Sequence, residues 1–80
     1  MTVSLVAGWN LIAGPYLGVP YTAETMAQSM QAQGGTPREI VRWWAGGWSS
    51  YVVGIPANRF AVETNRGYFV RCATPGAWIP

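Results

Sequence analysis

The chain has 80 residues, half of them hydrophobic, with five arginines, three glutamates, no histidine and a formal net charge of +2. That length is a single domain, residues 1–80, and its small core has to be stabilised by packing, by a partner or by a covalent or metal staple. One cysteine excludes an intrachain disulfide, and Cys72 with Glu24, Glu39 and Glu63 falls short of an ordinary zinc donor set.

The first elements read as strands. Val3-Ser4-Leu5 alternates as a half-buried strand does. Beyond Gly8, Trp9 to Ala13 reads as a second strand, or as the first continued past a bulge. Gly14-Pro15 ends it, and Tyr16 to Pro20 is a loop. A helix is predicted over residues 22–33. Thr22 is its N-cap and Glu24 sits near the positive end of the dipole. Tyr21 and Met26 take the staple positions. Ala23, Met26, Ala27 and Met30 form one apolar face, and Gly34-Gly35 supplies the stop.

After Pro37 the pattern turns to strands. Ile40 to Trp44 and Trp48 to Val53 flank Ala45-Gly46-Gly47 as a hairpin. Gly54 to Arg59 is a loop, Phe60 to Glu63 a short strand, and Thr64 to Gly67 a turn. Tyr68 to Cys72 is the next strand, and Ala77 to Ile79 reads as a last edge strand after Pro75-Gly76. Strand, helix and a run of short strands predict an α+β, mainly β domain. The expected form is a curved antiparallel sheet, or a partly closed small barrel, carrying one helix.

Three stretches together resemble an accessory module recurrent in bacterial secreted and surface proteins. Gly8-Trp9-Asn10-Leu11-Ile12 with Pro15 is similar to its opening. Trp44-Ala45-Gly46-Gly47-Trp48-Ser49-Ser50-Tyr51 is similar to its central tryptophan hairpin. Phe60-Ala61-Val62 with Arg66-Gly67-Tyr68-Phe69-Val70 is similar to its close. The resemblance implies an accessory part of a multidomain extracellular protein and brings no enzyme activity, cofactor or ligand with it. Gly8 and Gly67 are expected to hold backbone angles or close approaches that a Cβ obstructs. Met1-Thr2-Val3-Ser4-Leu5 lacks the basic n-region of a signal peptide, so the expected setting is either the cytoplasm or, for a domain of a secreted protein, the cell exterior.

Catalysis lacks its parts. The three glutamates are the whole supply of bases, and Glu39 is expected to pair with Arg42. Cys72 and Arg71 should point to opposite faces of a strand, which makes Cys72 a small buried hydrophobe. No phosphate-binding loop or zinc spacing is present. No segment reaches the length needed to cross a bilayer as a helix. Charged residues make up 10% of the chain, against about 25% in a typical domain. With five tryptophans and four tyrosines, that composition favours a surface covered by neighbours.

The expectation is therefore a noncatalytic assembly or protein-interaction module without metal or cofactor. Its partners are copies of itself or neighbouring domains, met through Trp43, Trp44, Trp48, Tyr51 and Trp78. Of Trp43 and Trp44, one should face outward and one inward. The alternative is a carbohydrate-binding module that stacks sugars on the same aromatics. Nucleic acid ranks below both, because five scattered arginines without lysine do not form a basic cluster.

Overall fold

The structure is a computed structural model that describes residues 2–13, 21–63 and 66–80. The expected loop at 14–20 and the Thr64-Asn65 part of the expected turn lie outside them. The chain runs β1 (Val3–Leu5), β2 (Gly8–Ala13), β3 (Tyr21–Thr22), α1 (Ala23–Ala32), β4 (Pro37–Trp44), β5 (Gly47–Val52), β6 (Ala61–Val62), β7 (Gly67–Cys72) and β8 (Gly76–Trp78). The expected α+β, mainly β architecture is what forms: antiparallel sheets with one helix, none of them closed into a barrel.

The main sheet has the order β2-β7-β4-β5, with two-stranded pairs β1-β8 and β3-β6 beside it. Gly8 pairs with Cys72 and Leu5 with Gly76, so β1-β2 and β7-β8 form one antiparallel ribbon interrupted at a corner. Gly8 turns that corner with φ +95°, where a side chain is disfavoured. Asn10 locks it. Its amide oxygen accepts from the Val6 N–H at 2.8 Å, and its Nδ2 donates to the carbonyls of Val6, Gly8 and Val70 at 3.0–3.2 Å. The buried amide is thereby satisfied at a place where the ladder breaks. Gly67 departs from expectation. Its φ is not in the left-handed region, and an added Cβ would make only ordinary contact with Leu11 Cδ1 at 3.5 Å.

Helix α1 follows its sequence signals closely. Thr22 and Thr25 form a reciprocal capping box. The C-terminus closes as a Schellman turn, with Gly35 N–H donating to the Met30 carbonyl (2.9 Å) and Gly34 N–H to Gln31 (3.0 Å). Gly34 has φ +85°, and a Cβ on Gly35 would lie 2.9 Å from the Met30 oxygen. The buried side chains are Ala23, Met26, Ala27 and Met30. They enter the same core as Ile12, Ile40, Tyr51, Tyr68, Val70 and Cys72 on the inner sheet face, with Leu5 and Trp78 from the ribbon. Gln33 then ties the chain end to the helix, donating to the Ile79 carbonyl (2.8 Å) and accepting its N–H (2.7 Å).

The β4-β5 hairpin turns on two residues, with Trp44 opposite Gly47. Ala45 has φ +52° and Gly46 φ +79°, the paired positive angles of a type I′ turn, in which asparagine is preferred first and glycine second. Ala45 therefore carries backbone strain that asparagine tolerates better. Ala45→Asn is expected to raise the urea midpoint by an amount equivalent to about 0.5–1 kcal/mol with the m-value unchanged; a lower midpoint would contradict the turn assignment.

The segment after β5 folds back along that edge strand. Asn58 Nδ2 donates to the Ser50 carbonyl (2.7 Å) and to Ser49 Oγ (2.8 Å). This occupies part of an edge that would otherwise invite another strand.

Candidate functional site

Strand parity sorts the main sheet into two faces. The inner face is covered by α1. On the outer face, the register brings Trp9 opposite Arg71, Leu11 opposite Phe69, Phe69 opposite Val41, and Trp43 opposite Trp48. Trp9, Leu11, Trp43, Trp48 and Val52 are exposed, with Trp48 at 62% and Leu11 at 68%. Phe69 is half-buried and Val41 lies beneath its larger neighbours. The result is apolar surface crossing all four strands.

Its relief is uneven. Trp43 meets Trp48 edge-on at 5.0 Å and 78°, and Trp48 meets Phe69 at 5.8 Å and 68°. A shallow depression of about 260 Å³ opens between Trp9, Val41, Trp48 and Phe69. The polar groups on this face include one ion pair, Arg71 Nε to Glu39 Oε1 at 3.5 Å, with Arg71 also 6.0 Å from the Trp9 ring. These charges cancel, so the face adds no net charge where it would meet a partner.

The expected contact residues divide. Trp43 and Trp48 stand on the outer face. Trp44 has the opposite parity, as expected of neighbours in a strand, yet is still 42% exposed at the hairpin end of β4, opposite Gly47. Tyr51 and Trp78 are corrections. Tyr51 is 3% exposed and Trp78 fully buried. Tyr51 belongs to the inner parity of β5. Trp78 lies opposite Val3 in β8, T-packs on Tyr21 at 6.0 Å and donates from Nε1 to Ser29 Oγ at 3.0 Å. Trp9, Leu11, Val41, Val52 and Phe69 were not foreseen as surface. The signal was present: β2 and β7 are apolar at both parities, as strands covered on both faces are.

The groups with reactive chemistry are held apart. Glu24 pairs with Arg59, Glu63 with Arg66 and Glu39 with Arg71. The expected Glu39–Arg42 pair does not form. Glu39 lies on the outer face and reaches across to the next strand. Arg42 lies on the inner side, with its guanidinium 4.5 Å from the Trp44 ring centre and 4.4 Å from that of Phe60. Among the described residues, no three His, Cys, Asp or Glu side chains cluster as a metal site. Among them, too, no helix is long and apolar enough to cross a membrane.

Cys72 is buried on the inner face, and desolvation pushes its thiol pKa up. A raised folded pKa favours the neutral thiol. The contribution is therefore complete below the unfolded value, about 8.5, and is lost as pH rises through the folded one. The stability difference between the native chain and Cys72→Val should be constant up to about pH 8 and shift against the native chain by about pH 10. Paired urea titrations measure it; a difference independent of pH would contradict the burial of the thiol.

No protein-family model, curated protein sequence or solved structure matches the chain.

Proposed function

We propose that this chain is a noncatalytic assembly module whose outer sheet face packs against the same face of a second copy. The observation that carries this reading is the mismatch between covering and apolarity. The helix shields one face, and the other face is apolar across four strands. Contiguous exposed apolar surface of this kind marks interaction sites.

A second copy fits for three reasons. Sheets pack face to face about 10 Å apart with interdigitating side chains, and edge-on indoles flanking a depression give both knobs and a hole. The paired Arg71 and Glu39 leave the face without a net charge that would repel its copy. The edge of β5, one of the two sheet edges that could pair with another strand, is partly occupied by Asn58. Four strands of about six residues make a face roughly 19 by 20 Å. That is about half of a standard interface's 800 Å² per partner, so the contact is weak and reversible, and is strengthened when the module is repeated or tethered. The resemblance to accessory modules of bacterial surface proteins supports the same reading.

Stacking of sugars on these aromatics is the second reading, favoured by the exposure of Trp43, Trp44 and Trp48. The edge-on ring geometry opposes it, since no two of the outer rings form a flat platform. Sedimentation of the purified chain from micromolar to millimolar concentration tests the assembly reading. It predicts a rising average mass; a constant monomer mass throughout, with tryptophan fluorescence that shifts on adding a polysaccharide, selects the sugar reading.

A further inference from the structure

A second recess lies at the hairpin end of β4, beside Arg42 and Trp44. It has a volume of about 230 Å³ and is lined by Arg42, Trp43, Trp44, Arg66, Gly67 and Tyr68. Its charge is unusual for so sparsely charged a chain. Three of the five arginines are matched one to one with the three glutamates. The two left over are Arg38 and Arg42, and they account for the net charge of +2.

Arg42 is also held in an uncommon way. Trp44 and Phe60 lie against its guanidinium, and Arg66 stands over the same Trp44 ring at 5.0 Å. Aromatic faces favour a cation but give its N–H groups no acceptor. Arg42 Nε is buried with no hydrogen-bond partner among the described residues. That nitrogen is closed to solvent and so to a ligand, and what the recess offers an anion is the charge of Arg42, which no glutamate matches.

We infer that this recess binds a small carboxylate attached to a single ring. Arg42 is its charge partner and Arg66 a second donor, with Trp43, Trp44 and Tyr68 among the walls that enclose the ring. Arg42, Arg66 and Glu63 together leave one positive charge, which matches a monoanion better than a phosphate dianion. A planar guanidinium also pairs with a carboxylate through two parallel hydrogen bonds. The volume, below the roughly 300–1,000 Å³ of drug-sized sites, limits the ligand to about one ring. A uronic acid and an aromatic acid share this chemistry.

The intact chain is titrated with sodium benzoate, sodium glucuronate, benzyl alcohol, glucose and inorganic phosphate, following the indole N–H resonance of Trp44. At least one of the two carboxylates is expected to bind with a Kd on the order of millimolar. Its neutral counterpart and phosphate should bind at least about tenfold more weakly. The tighter of benzoate and glucuronate identifies the ring. Arg42→Gln should weaken binding by at least about tenfold, while Arg38→Gln, which removes the same charge elsewhere, leaves it unchanged. If Arg42→Gln does not fold, Arg66→Gln, whose side chain is half exposed, is expected to weaken binding several-fold. The inference is overturned if neither carboxylate binds up to roughly 50 mM. It is equally overturned if benzyl alcohol or glucose binds as well as its acid, or if the folded arginine variant binds as well as the native chain.

Discussion

Trp78→Ala is expected to destabilise the domain by about 3–5 kcal/mol. The indole is fully buried between β1, Tyr21 and the helix, and its Nε1 donates to Ser29. Truncating a buried tryptophan costs about 3–5 kcal/mol, and Ser29 is left without that partner. An 80-residue domain has in total about 4–12 kcal/mol. The loss is therefore a large share of the whole. It also releases the β1-β8 arm, which Trp78 ties to the helix at Ser29. Near-UV circular dichroism and urea titration measure the effect. A cooperative transition within about 1 kcal/mol of the native chain would mean that Trp78 does not fill the core. Trp43→Ala, at a site 55% exposed, serves as the contrast and should cost no more than about 1 kcal/mol.

The second large effect is on association and not on folding. Trp48 stands at the middle of the outer aromatic row, in contact with Trp43 on one side and Phe69 on the other. Central aromatics dominate interface energies, at about 2 kcal/mol or more each. Trp48→Ser should therefore weaken self-association by roughly 30-fold. Losing its two cross-strand ring contacts should cost about 1 kcal/mol of stability. In a two-fold contact the residue is lost from both copies, so the measured effect can exceed the single-site figure. Sedimentation equilibrium of the two proteins side by side gives the ratio. Unchanged association with an intact fold would remove Trp48 from the interface.

Much of the fold was legible because local signals and burial agree. The helix is the clearest case. Its cap, its apolar stripe and its glycine stop coincide with Thr22, with Ala23-Met26-Ala27-Met30 and with Gly34-Gly35. The hairpin was equally legible from apolar runs around Ala45-Gly46. What could not be read is long-range. Nothing near Trp78 in the sequence says that β8 pairs with β1 and turns its indole onto the helix. A short apolar strand beside prolines reads as an edge, and its burial depends on a partner 75 residues away. Arg42 is a similar case. Glu39 lies three residues off, as on a helix, but the strand puts the two side chains on opposite faces, and Phe60 approaches from a distant loop.

The candidate surface was legible in type and only partly in place. Composition pointed to aromatic contact surface, and parity put one of Trp43 and Trp44 outside without saying which. Parity alone could not say which face of each strand the single helix would take. That choice follows from Ile40, Tyr51 and Val70 meeting on one side once β7 inserts between β2 and β4. The same insertion brings Trp9 and Phe69 beside Trp48, from segments far apart in the chain.

Dilution of an isotope-labelled sample, followed by amide and indole resonances from millimolar to micromolar concentration, probes the outer face directly. Concentration-dependent shifts confined to Trp9, Leu11, Val41, Trp43, Trp48 and Phe69 are the predicted result. Spectra that do not change with concentration, or shifts that gather on the exposed side of α1, would contradict an assembly built on this face.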